Sequence, residues 1–418
     1  MYRIIPNKSQ EQWIELPSSK SITHRLLILA ALNSGKTKIL KPLISEDTEI
    51  TITALQRLGA QIEARDSSLA ITHPIGQALK SEIYLGNSGS SARFLLPLGV
   101  YADKPIRFSG SERLHKRPFS QLLAALSTFG HKFESTNQSL PVITFPGSSK
   151  GGKIRLKELP SSQIVTGLMM AGLKMQKNLT IEIPRTTPSL PYIIMTINLM
   201  KRLRLDVDYT NNTIRVNAKQ PNADWMLTVE KDFSAASYWV VYALINRVKV
   251  VLKNMNVPSL QGDQFVLDIA EKTGADIMLY TDRIEINGEI KHAFDVDCES
   301  TPDLVPALSI LALFCPSKCR LRNVKLLEYK ESNRIQAVRE NLEKIGGRSE
   351  FSQGNLTIIP RKSYRGTRIN SYNDHRIAMS FAVAGTQIPG IIIDDPGCVA
   401  KSYPGFWMDF TYWKKEKG

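Results

Sequence analysis

The chain has 418 residues, of which 42% are hydrophobic and 22% are charged. This composition is typical of a globular protein, the length favours two domains, and no uninterrupted apolar stretch is long enough to predict a membrane span. The formal net charge of +15 indicates anionic partners, but the basic residues are dispersed and accompany no zinc-finger or RNA-binding motif, so we do not expect a nucleic acid as the natural ligand.

The compartment can be judged from the first residues and the cysteines. The segment 1–6 contains no apolar signal core. Four cysteines occur without paired metal-ligand spacing, and we expect them to be reduced and structural. They are Cys298, Cys315, Cys319 and Cys398. We therefore expect a cytoplasmic protein with no metal site.

A small polar cluster followed at once by an apolar helical run recurs about six times, roughly every 70 residues. Each cluster has the composition of a helix N-cap. In chain order the clusters lie at Ser18, Ser88, Ser161, Ser234, Thr301 and Asn373, and the apolar runs are 26–32, 94–100, 168–173, 239–244, 304–313 and 377–384. Because a free helix N-terminus attracts anions, six of them predict a site for a strongly anionic small molecule.

A second pattern, in which a helical stretch ends at a glycine before a strand-like segment, runs out of phase with the first. The glycines are Gly59, Gly130, Gly274 and Gly346, and Arg204 holds the same register. Together the two patterns predict an α/β protein that is built from repeated α+β units. We expect six units of about 70 residues, each with two helices and several short strands.

Three segments of the first half place basic or small polar residues at predicted helix starts. Lys20, Ser21 and Arg25 can converge on an anion, although a capped surface helix with solvated charges has the same composition. The turn 86–93 is rich in glycine and serine but lacks the P-loop spacing. Four basic residues in 113–118 precede a helix predicted to start near Pro118, where a guanidinium suits a carboxylate or phosphate; a solvated basic turn is the alternative.

Candidate acid and base groups lie in the second half. Lys330, Glu331 and Arg334 are predicted to share the first turn of a long amphipathic helix, with the two cations on one face. A carboxylate among cations can be tuned as an acid, although a surface row of ion pairs has the same spacing. Asp303 lies at another helix start, where an acid ordinarily serves as a dipole partner. His375 lies in the segment 372–376, and an isolated histidine is more often structural than catalytic.

Taken in order, these motifs closely resemble those of the 5-enolpyruvylshikimate-3-phosphate synthase family. The matching segments cover essentially the whole chain and are 16–21, 85–93, 116–118, 161–163, 261–263, 301–303, 330–334, 373–376 and 399–404. The resemblance implies the two-domain enolpyruvyl transferase fold, in which each domain has three β-α-β-α-β-β units and the active site lies in the interdomain cleft. It implies a discontinuous domain of residues 1–17 plus 229–418 and an inserted domain of residues 18–228.

The resemblance also implies a reaction. The enolpyruvyl group of phosphoenolpyruvate is transferred to the 5-hydroxyl of shikimate 3-phosphate, and phosphate is released, in the shikimate pathway of chorismate and aromatic amino-acid biosynthesis. The two substrates carry two phosphates and two carboxylates, which gives a physical reason for the excess of basic residues. No metal or organic cofactor, no membrane and no nucleic acid is implied, and the expected state is a monomer.

Site residues are carried over by resemblance, position by position. The implied contacts of shikimate 3-phosphate are Lys20, Ser21, Arg25, Ser161, Ser162, Gln163, Ser189, Tyr192, Asp303 and Lys330. The implied contacts of phosphoenolpyruvate are Lys20, Gly89, Arg117, Gln163, Arg334, Arg376 and Lys401. The implied catalytic residues are Asp303, Glu331, Lys20, His375 and Lys401. In this scheme Asp303 takes the hydroxyl proton, Glu331 serves the methyl group, and the other three move protons or bind the leaving phosphate.

Two positions qualify the resemblance. Family members often carry an asparagine, which contacts substrate, four residues before the lysine of the 330–334 motif; here that position is Leu326, and we assign it no binding role. Gly89 leaves room beside phosphoenolpyruvate, and we expect glyphosate, which resembles that substrate, to inhibit the enzyme.

Three alternatives stay open at the level of sequence. The sister enzyme that acts on UDP-N-acetylglucosamine typically carries a reactive cysteine near 113–118, and the absence of cysteine before Cys298 speaks against it. A basic nucleic-acid-binding protein built from the same units would show steep salt dependence of its affinity. A catalytically inactive relative is disfavoured by the presence of Lys20, Asp303, Glu331 and Lys401.

Overall fold

The structure, a computed structural model, describes residues 1–6, 11–411 and 413–415. The chain divides into two compact units. Met1–Pro17 and Glu230–Gly418 together form what we call the discontinuous unit, and Ser18–Val229 forms the inserted unit. Within the described residues, no helix combines the length and the apolar character that crossing a membrane requires.

The elements follow one another as short strands and helices. The chain begins with β1 (Tyr2–Ile4) and β2 (Gln12–Ile14), which belong to the discontinuous unit. The helices of the inserted unit are α1 (Lys20–Leu32), α2 (Glu46–Arg57), α3 (Gly89–Leu95), α4 (Glu112–His115), α5 (Ser120–Thr128), α6 (Ser162–Ala171) and α7 (Leu190–Arg202). Its strands are β3 (Thr37–Leu40), β4 (Gln61–Arg65), β5 (Ser68–His73), β6 (Glu82–Tyr84), β7 (Ile106–Ser109), β8 (Phe133–Ser135), β9 (Val142–Thr144), β10 (Gly152–Arg155), β11 (Leu179–Glu182), β12 (Val207–Thr210), β13 (Thr213–Val216) and β14 (Trp225–Thr228).

The rest of the discontinuous unit repeats this alternation. Its helices are α8 (Phe233–Asn246), α9 (Val266–Thr273), α10 (Val305–Leu313), α11 (Arg334–Lys344), α12 (His375–Gly385) and α13 (Phe406–Asp409). Its remaining strands are β15 (Val250–Lys253), β16 (Ala275–Leu279), β17 (Arg283–Gly288), β18 (Asp295–Asp297), β19 (Cys319–Arg322), β20 (Arg348–Ser352), β21 (Asn355–Ile359), β22 (Arg368–Ile369), β23 (Ile392–Ile393) and β24 (Trp413–Lys415). Short 3-10 helices that matter below are Gly262–Phe265, Pro302–Leu304, Lys325–Tyr329 and Pro396–Lys401.

The described strands form six four-stranded sheets, three in each unit. The inserted unit has the strand orders β14-β3-β5-β4, β6-β7-β9-β8 and β10-β11-β13-β12, and the discontinuous unit has β16-β17-β15-β2, β18-β19-β21-β20 and β22-β23-β1-β24. Every sheet combines one parallel pair with two antiparallel pairs. Because β2 pairs with β15 and β1 pairs with β23 and β24, the N-terminal segment is held in the discontinuous unit.

Buried helices form the centre of each unit. In the discontinuous unit α8, α10 and α12 contact one another, and every residue of α10 and α12 is buried. In the inserted unit α3 contacts both α1 and α6, and most residues of all three are buried. A helix that is apolar on all faces is stable only inside a core, which is why the six apolar runs lie in these helices and the short 3-10 turns that adjoin them. The predicted helical runs are therefore confirmed.

The second repeated pattern corresponds to the ends of the other helices. Residues with positive φ follow α2, α5, α9 and α11, and all four are glycines. After α7 the same place is taken by Arg204, whose φ of 58° is in the left-handed region. A residue with a side chain can adopt this left-handed conformation at some cost in strain. Arg204 therefore ends α7 in the way that glycine ends the other four helices.

The helix predicted near Pro118 is confirmed and begins at Ser120. Two other local predictions are wrong in detail. The helix α11 begins at Arg334, so Lys330 and Glu331 precede it and do not share a helix face with Arg334. Two of the six buried helices, α1 and α10, have no side-chain hydrogen bond at the N-cap. In α10 the N-cap residue is Leu304, the last residue of the preceding 3-10 helix, and its apolar side chain cannot accept a hydrogen bond.

Candidate active site

In the inserted unit, the first turns of α1 carry two buried cations. The Lys20 Nζ lies 2.9 Å from Oδ2 of Asp47 in α2, and both side chains are largely buried. The Arg25 Nε donates to Thr196 Oγ1 at 2.8 Å, and its Nη2 donates to the Tyr192 carbonyl at 3.0 Å. Burial lowers the pKa of Arg25 to about 10, so its guanidinium remains charged at neutral pH. Sequence reasoning missed Asp47, whose position in a helix first turn is an ordinary one for an acid.

Arg25 also joins the start of α1 to the start of α7. Its Nη1 donates to the Ser21 carbonyl at 2.7 Å, one turn back on its own helix. Tyr192 lies in the first turn of α7, and its backbone N–H donates at 3.1 Å to the carbonyl of Ser189, the residue before the helix, which has a left-handed φ of 56°. The structure therefore brings together Ser21, Arg25, Ser189 and Tyr192, four residues predicted to contact shikimate 3-phosphate.

At the start of α3, Gly89 lies against the guanidinium of Arg117. A Cβ atom at Gly89 would be 2.5 Å from Arg117 Cζ and 2.5 Å from its Nη1. Carbon atoms in van der Waals contact are about 3.5–4.0 Å apart, so only glycine allows this approach. The Arg117 Nη1 lies 3.5 Å from the Asn87 carbonyl, and the side chain is 5% exposed. The two residues predicted to contact phosphoenolpyruvate in this region are thus in direct contact.

A further arginine, Arg93 of α3, contacts both the residue that follows Arg117 and the start of α6. Its side chain is 1% exposed, lies 4.8 Å from the centroid of the Phe119 ring, and donates from Nη2 to the Pro118 carbonyl at 3.0 Å. Its Nη1 donates to Gln163 Oε1 at 2.9 Å. Sequence reasoning assigned Arg93 no role, although it ends the conspicuous motif 85–93.

The start of α6 supplies the other polar residues predicted in this unit. The Ser161 Oγ caps the helix by accepting from the Gln163 backbone N–H at 3.3 Å, and Ser162 is the first residue of the helix. The Gln163 Nε2 donates to Ser90 Oγ at 2.9 Å. Since Ser90 lies in the first turn of α3, the side chain of Gln163 links the starts of α6 and α3.

In the discontinuous unit, Arg334 is the centre of an ion cluster. It is 1% exposed, and three carboxylates accept from its guanidinium. Nη1 donates to Asp303 at 2.8 Å, Nη2 to Glu331 at 2.6 Å and Nε to Asp374 at 2.8 Å. Burial by itself would lower the pKa of Arg334, but the three carboxylates outweigh burial and raise that pKa above its ordinary value.

Asp303 in turn accepts from three cations. Its Oδ1 is 2.8 Å from Arg334 Nη1 and 3.4 Å from Lys330 Nζ, and its Oδ2 is 2.8 Å from Arg376 Nη2. Burial favours the neutral carboxyl, yet the three positive charges outweigh burial and hold the pKa of Asp303 well below its ordinary value. In this arrangement Asp303 is a firmly ionised carboxylate and a weak base.

The N-cap of α12 holds the cluster in place. Asp374 is fully buried, accepts from the Arg376 backbone N–H at 3.0 Å, and accepts from Ser332 Oγ at 2.9 Å. His375 is also fully buried, with its Nδ1 3.9 Å from Asp374 Oδ1. Sequence reasoning did not assign Asp374 or Ser332 a role, although each lies inside a motif that it singled out.

Lys401, at the end of the 3-10 helix Pro396–Lys401, is 2% exposed. Its Nζ donates to the backbone carbonyl of Asn373 at 2.6 Å and to Asn373 Oδ1 at 2.8 Å. Asn373 directly precedes Asp374, so the ammonium of Lys401 is held next to the ion cluster. Leu326 lies in the 3-10 helix Lys325–Tyr329 and is partly exposed.

Comparison with known proteins identifies the family of the chain. The sequence model of the EPSP synthase (3-phosphoshikimate 1-carboxyvinyltransferase) family matches residues 5–410. The chain belongs to the EPSP synthase family. It transfers the enolpyruvyl group of phosphoenolpyruvate to shikimate 3-phosphate, as its motifs predict, so the predicted reaction is confirmed.

Curated relatives agree over nearly the full length. The 3-phosphoshikimate 1-carboxyvinyltransferase of Syntrophobacter fumaroxidans is 36% identical over 406 residues, covering 95% of this chain and 96% of that protein. The protein of the same description from Methanoculleus marisnigri is 33% identical over 398 residues and covers 94% of each chain.

Solved structures confirm the predicted fold class. A 2.37 Å structure of EPSP synthase from Acinetobacter baumannii superposes with a TM-score of 0.80 at 26% identity, over 98% of this chain and 97% of that one. The enolpyruvyl transferase NikO from Streptomyces tendae shares the fold with a TM-score of 0.77 at 15% identity, over 98% of this chain and 96% of that one.

Proposed function

We propose that the two groups of buried polar residues described above carry out the transfer, with Asp303 and Glu331 as the groups that move protons. The reaction requires that the 5-hydroxyl oxygen bond to C2 of phosphoenolpyruvate while C3 gains a proton. The resulting adduct then loses phosphate and a proton from its methyl group. In our proposal Asp303 accepts the hydroxyl proton, and Glu331 gives a proton to C3 and later removes one.

The observation that carries this proposal is the charge balance of the ion cluster. Three cations, Lys330, Arg334 and Arg376, face three carboxylates, Asp303, Glu331 and Asp374. An anionic substrate that binds Arg334 and Arg376 competes with Asp303 for their charge. Withdrawal of that charge raises the pKa of Asp303, because its low value depends on those cations. Asp303 then becomes an effective base only when substrate is bound.

The other predicted residues have supporting parts in the same proposal. Lys330 would bind shikimate 3-phosphate together with the inserted-unit residues Lys20, Ser21, Arg25, Ser161, Ser162, Gln163, Ser189 and Tyr192. Phosphoenolpyruvate would be bound by Lys20, Gly89, Arg117, Gln163, Arg334, Arg376 and Lys401. Fixed cations stabilise the charge that develops as phosphate leaves, and Lys20, His375 and Lys401 would assist that step. We also propose that residues 1–17 plus 229–418 and 18–228 are the two domains of the fold.

The test is phosphate release from phosphoenolpyruvate in the presence of shikimate 3-phosphate, with UDP-N-acetylglucosamine in parallel. We expect release with shikimate 3-phosphate alone. Asp303→Asn and Glu331→Gln should each lower kcat by about 10²–10⁴-fold while the protein stays folded, as circular dichroism would show. Matched controls are Asp276→Asn and Glu350→Gln, which alter exposed carboxylates of the same unit and should leave kcat unchanged. A near-normal rate in either active-site variant would exclude the role assigned to it.

We further propose that the enzyme acts as a cytoplasmic monomer and that nucleic acid is not its ligand. Free thiols are typical of a reducing compartment, and all four cysteines are free and buried. Light scattering after size-exclusion chromatography should give the mass of one chain. DNA or RNA binding that is tight and falls steeply with salt would contradict the proposal.

A further inference from the structure

Asp263 is a buried acid that the scheme above does not use. It is 3% exposed and lies in the 3-10 helix Gly262–Phe265, which precedes α9. The Ser234 hydroxyl, in the first turn of α8, donates to its Oδ2. A carboxylate buried this deeply is costly unless polar groups compensate its loss of hydration.

Neighbouring contacts hold the loop of Asp263 against the start of α8. The Gln261 Oε1 accepts from the Phe233 backbone N–H at 3.0 Å, and its Nε2 donates to the Lys231 carbonyl at 2.7 Å. The 3-10 helix of Asp263 and the 3-10 helix of Asp303 both contact α8. The 3-10 helices that carry Asp263 and Asp303 therefore pack against the same helix, α8.

The charges that act on Asp263 include two members of the ion cluster, Asp303 and Arg376. Burial is the largest influence and raises its pKa, and the negative charge of Asp303 raises it further. Arg376 from α12 and the Ser234 hydroxyl oppose this rise, while Asp232 at the N-cap of α8 adds to it. The result is a pKa of about 6 for Asp263, which places its change of charge close to neutral pH.

We infer that Asp263 is a positioning residue whose negative charge makes Asp303 a stronger proton acceptor, and whose protonation makes Asp303 a weaker one. The physical cause is repulsion between like charges, which favours the protonated form of the neighbour. Lys330, Arg334 and Arg376 pull the basicity of Asp303 down, and an ionised Asp263 partly restores it. This inference rests on the proposed role of Asp303.

The experiment compares the kcat of the wild-type protein and of Asp263→Asn between pH 5 and pH 8. Asparagine keeps the shape and still accepts from Ser234, but it carries no charge. We expect the ratio of the wild-type kcat to the Asp263→Asn kcat to be near one at pH 5, where Asp263 is protonated. This ratio should rise to about 10 at pH 7.5. Ionisation of the substrates cancels in this ratio. A ratio that is the same at every pH would overturn the inference, because a purely structural defect acts at all pH values.

Three further variants complete the test. Asp268→Asn changes an exposed acid in the first turn of α9, and its ratio should be one throughout. Asp263→Glu keeps the charge and should retain the rise of kcat with pH. Ser234→Ala removes a hydroxyl that lowers the pKa of Asp263, so the rise should move to higher pH. If Asp263→Asn does not fold, a rise that stays in place in Ser234→Ala overturns the inference.

Asp303→Asn separates this inference from the role proposed for Asp303. If Asp303→Asn keeps a normal rate, the proposed base is wrong and the inference falls with it. If Asp303→Asn is inactive while the Asp263→Asn ratio is flat with pH, the base stands and only the role of Asp263 is refuted.

Discussion

The contact between Gly89 and Arg117 allows a sharp test of the phosphoenolpyruvate site. The change is Gly89→Ala, a single methyl group at the first residue of α3. The backbone of Gly89 does not have a positive φ, and alanine is a better helix former than glycine. We therefore expect the substitution to leave the fold and its stability intact and to act only through the neighbouring side chain.

The size of the effect follows from the distances. The new Cβ would lie 2.5 Å from Arg117 Cζ and 2.6 Å from Nη2, whereas an ordinary contact begins at 3.4 Å. The guanidinium must therefore retreat by about 1 Å, and a displacement of that size in a positioned group can cost roughly 100-fold. We expect the KM for phosphoenolpyruvate to rise by about 10–100-fold and the KM for shikimate 3-phosphate to change much less.

The assay is phosphate release at varied phosphoenolpyruvate and saturating shikimate 3-phosphate. Gly76→Ala is the matched control, because a Cβ there meets no atom within 4 Å, and it should behave as wild type. A double-mutant cycle with Arg117→Ala then asks whether the methyl group acts through the guanidinium. If it does, Gly89→Ala has little effect once the Arg117 side chain is gone.

Either of two results would refute this reasoning. One is an unchanged KM for phosphoenolpyruvate in Gly89→Ala. The other is full additivity of Gly89→Ala and Arg117→Ala in the free energy of transition-state binding, to within about 0.5 kcal/mol, which would mean that the methyl group acts elsewhere.

Three further predictions concern stability and inhibition. In the folded protein the pKa of Asp263 is about 6, against an ordinary value of 3.8. Between these two pH values the folded state holds a proton that the unfolded state has lost. The free energy of unfolding of the wild type therefore falls as pH rises from about 4 to about 6. Asp263→Asn should therefore raise the free energy of unfolding at pH 7 by about 2–3 kcal/mol and leave it unchanged at pH 3.5, as urea titrations at both pH values would reveal. Arg334→Met leaves the buried Asp374 and the largely buried Asp303 and Glu331 without their shared cation and should cost about 3–5 kcal/mol at pH 7. A loss below about 1 kcal/mol would contradict the central role of that arginine. Glyphosate should inhibit in competition with phosphoenolpyruvate, and full activity at high glyphosate would count against that expectation.

Sequence patterns predicted the six buried helices because the signals that specify them are local. An apolar run after a capping cluster has few alternatives to a core helix, and Ser88, Ser161, Asp232 and Asp374 do cap the helices that follow them. The motifs that carry the family resemblance were equally legible, since each is a short run of consecutive residues.

Local rules failed where a residue's environment is made by distant parts of the chain. The spacing of Lys330 and Arg334 predicted a shared helix face, but the helix begins only at Arg334, and both side chains instead reach Asp303. Asp263 is similar: nothing in the segment 261–263 predicts that the charges of Asp303 and Arg376 influence its pKa, which depends on the packing of its 3-10 helix against α8.

By itself, the amino-acid sequence determined the repeated α/β units, the buried helices, the family and the reaction. The tertiary structure alone decided which partners the charged side chains contact. Arg334 contacts Asp303 and Asp374, which are 31 and 40 residues away in the sequence. Arg93 contacts Gln163 at a sequence separation of 70 residues, and Arg25 contacts Thr196 at a separation of 171. The physical reason is that helix periodicity and capping depend on neighbours three or four residues apart, whereas charge pairing depends on distance in space, which only the packing of helix N-termini in the folded core creates.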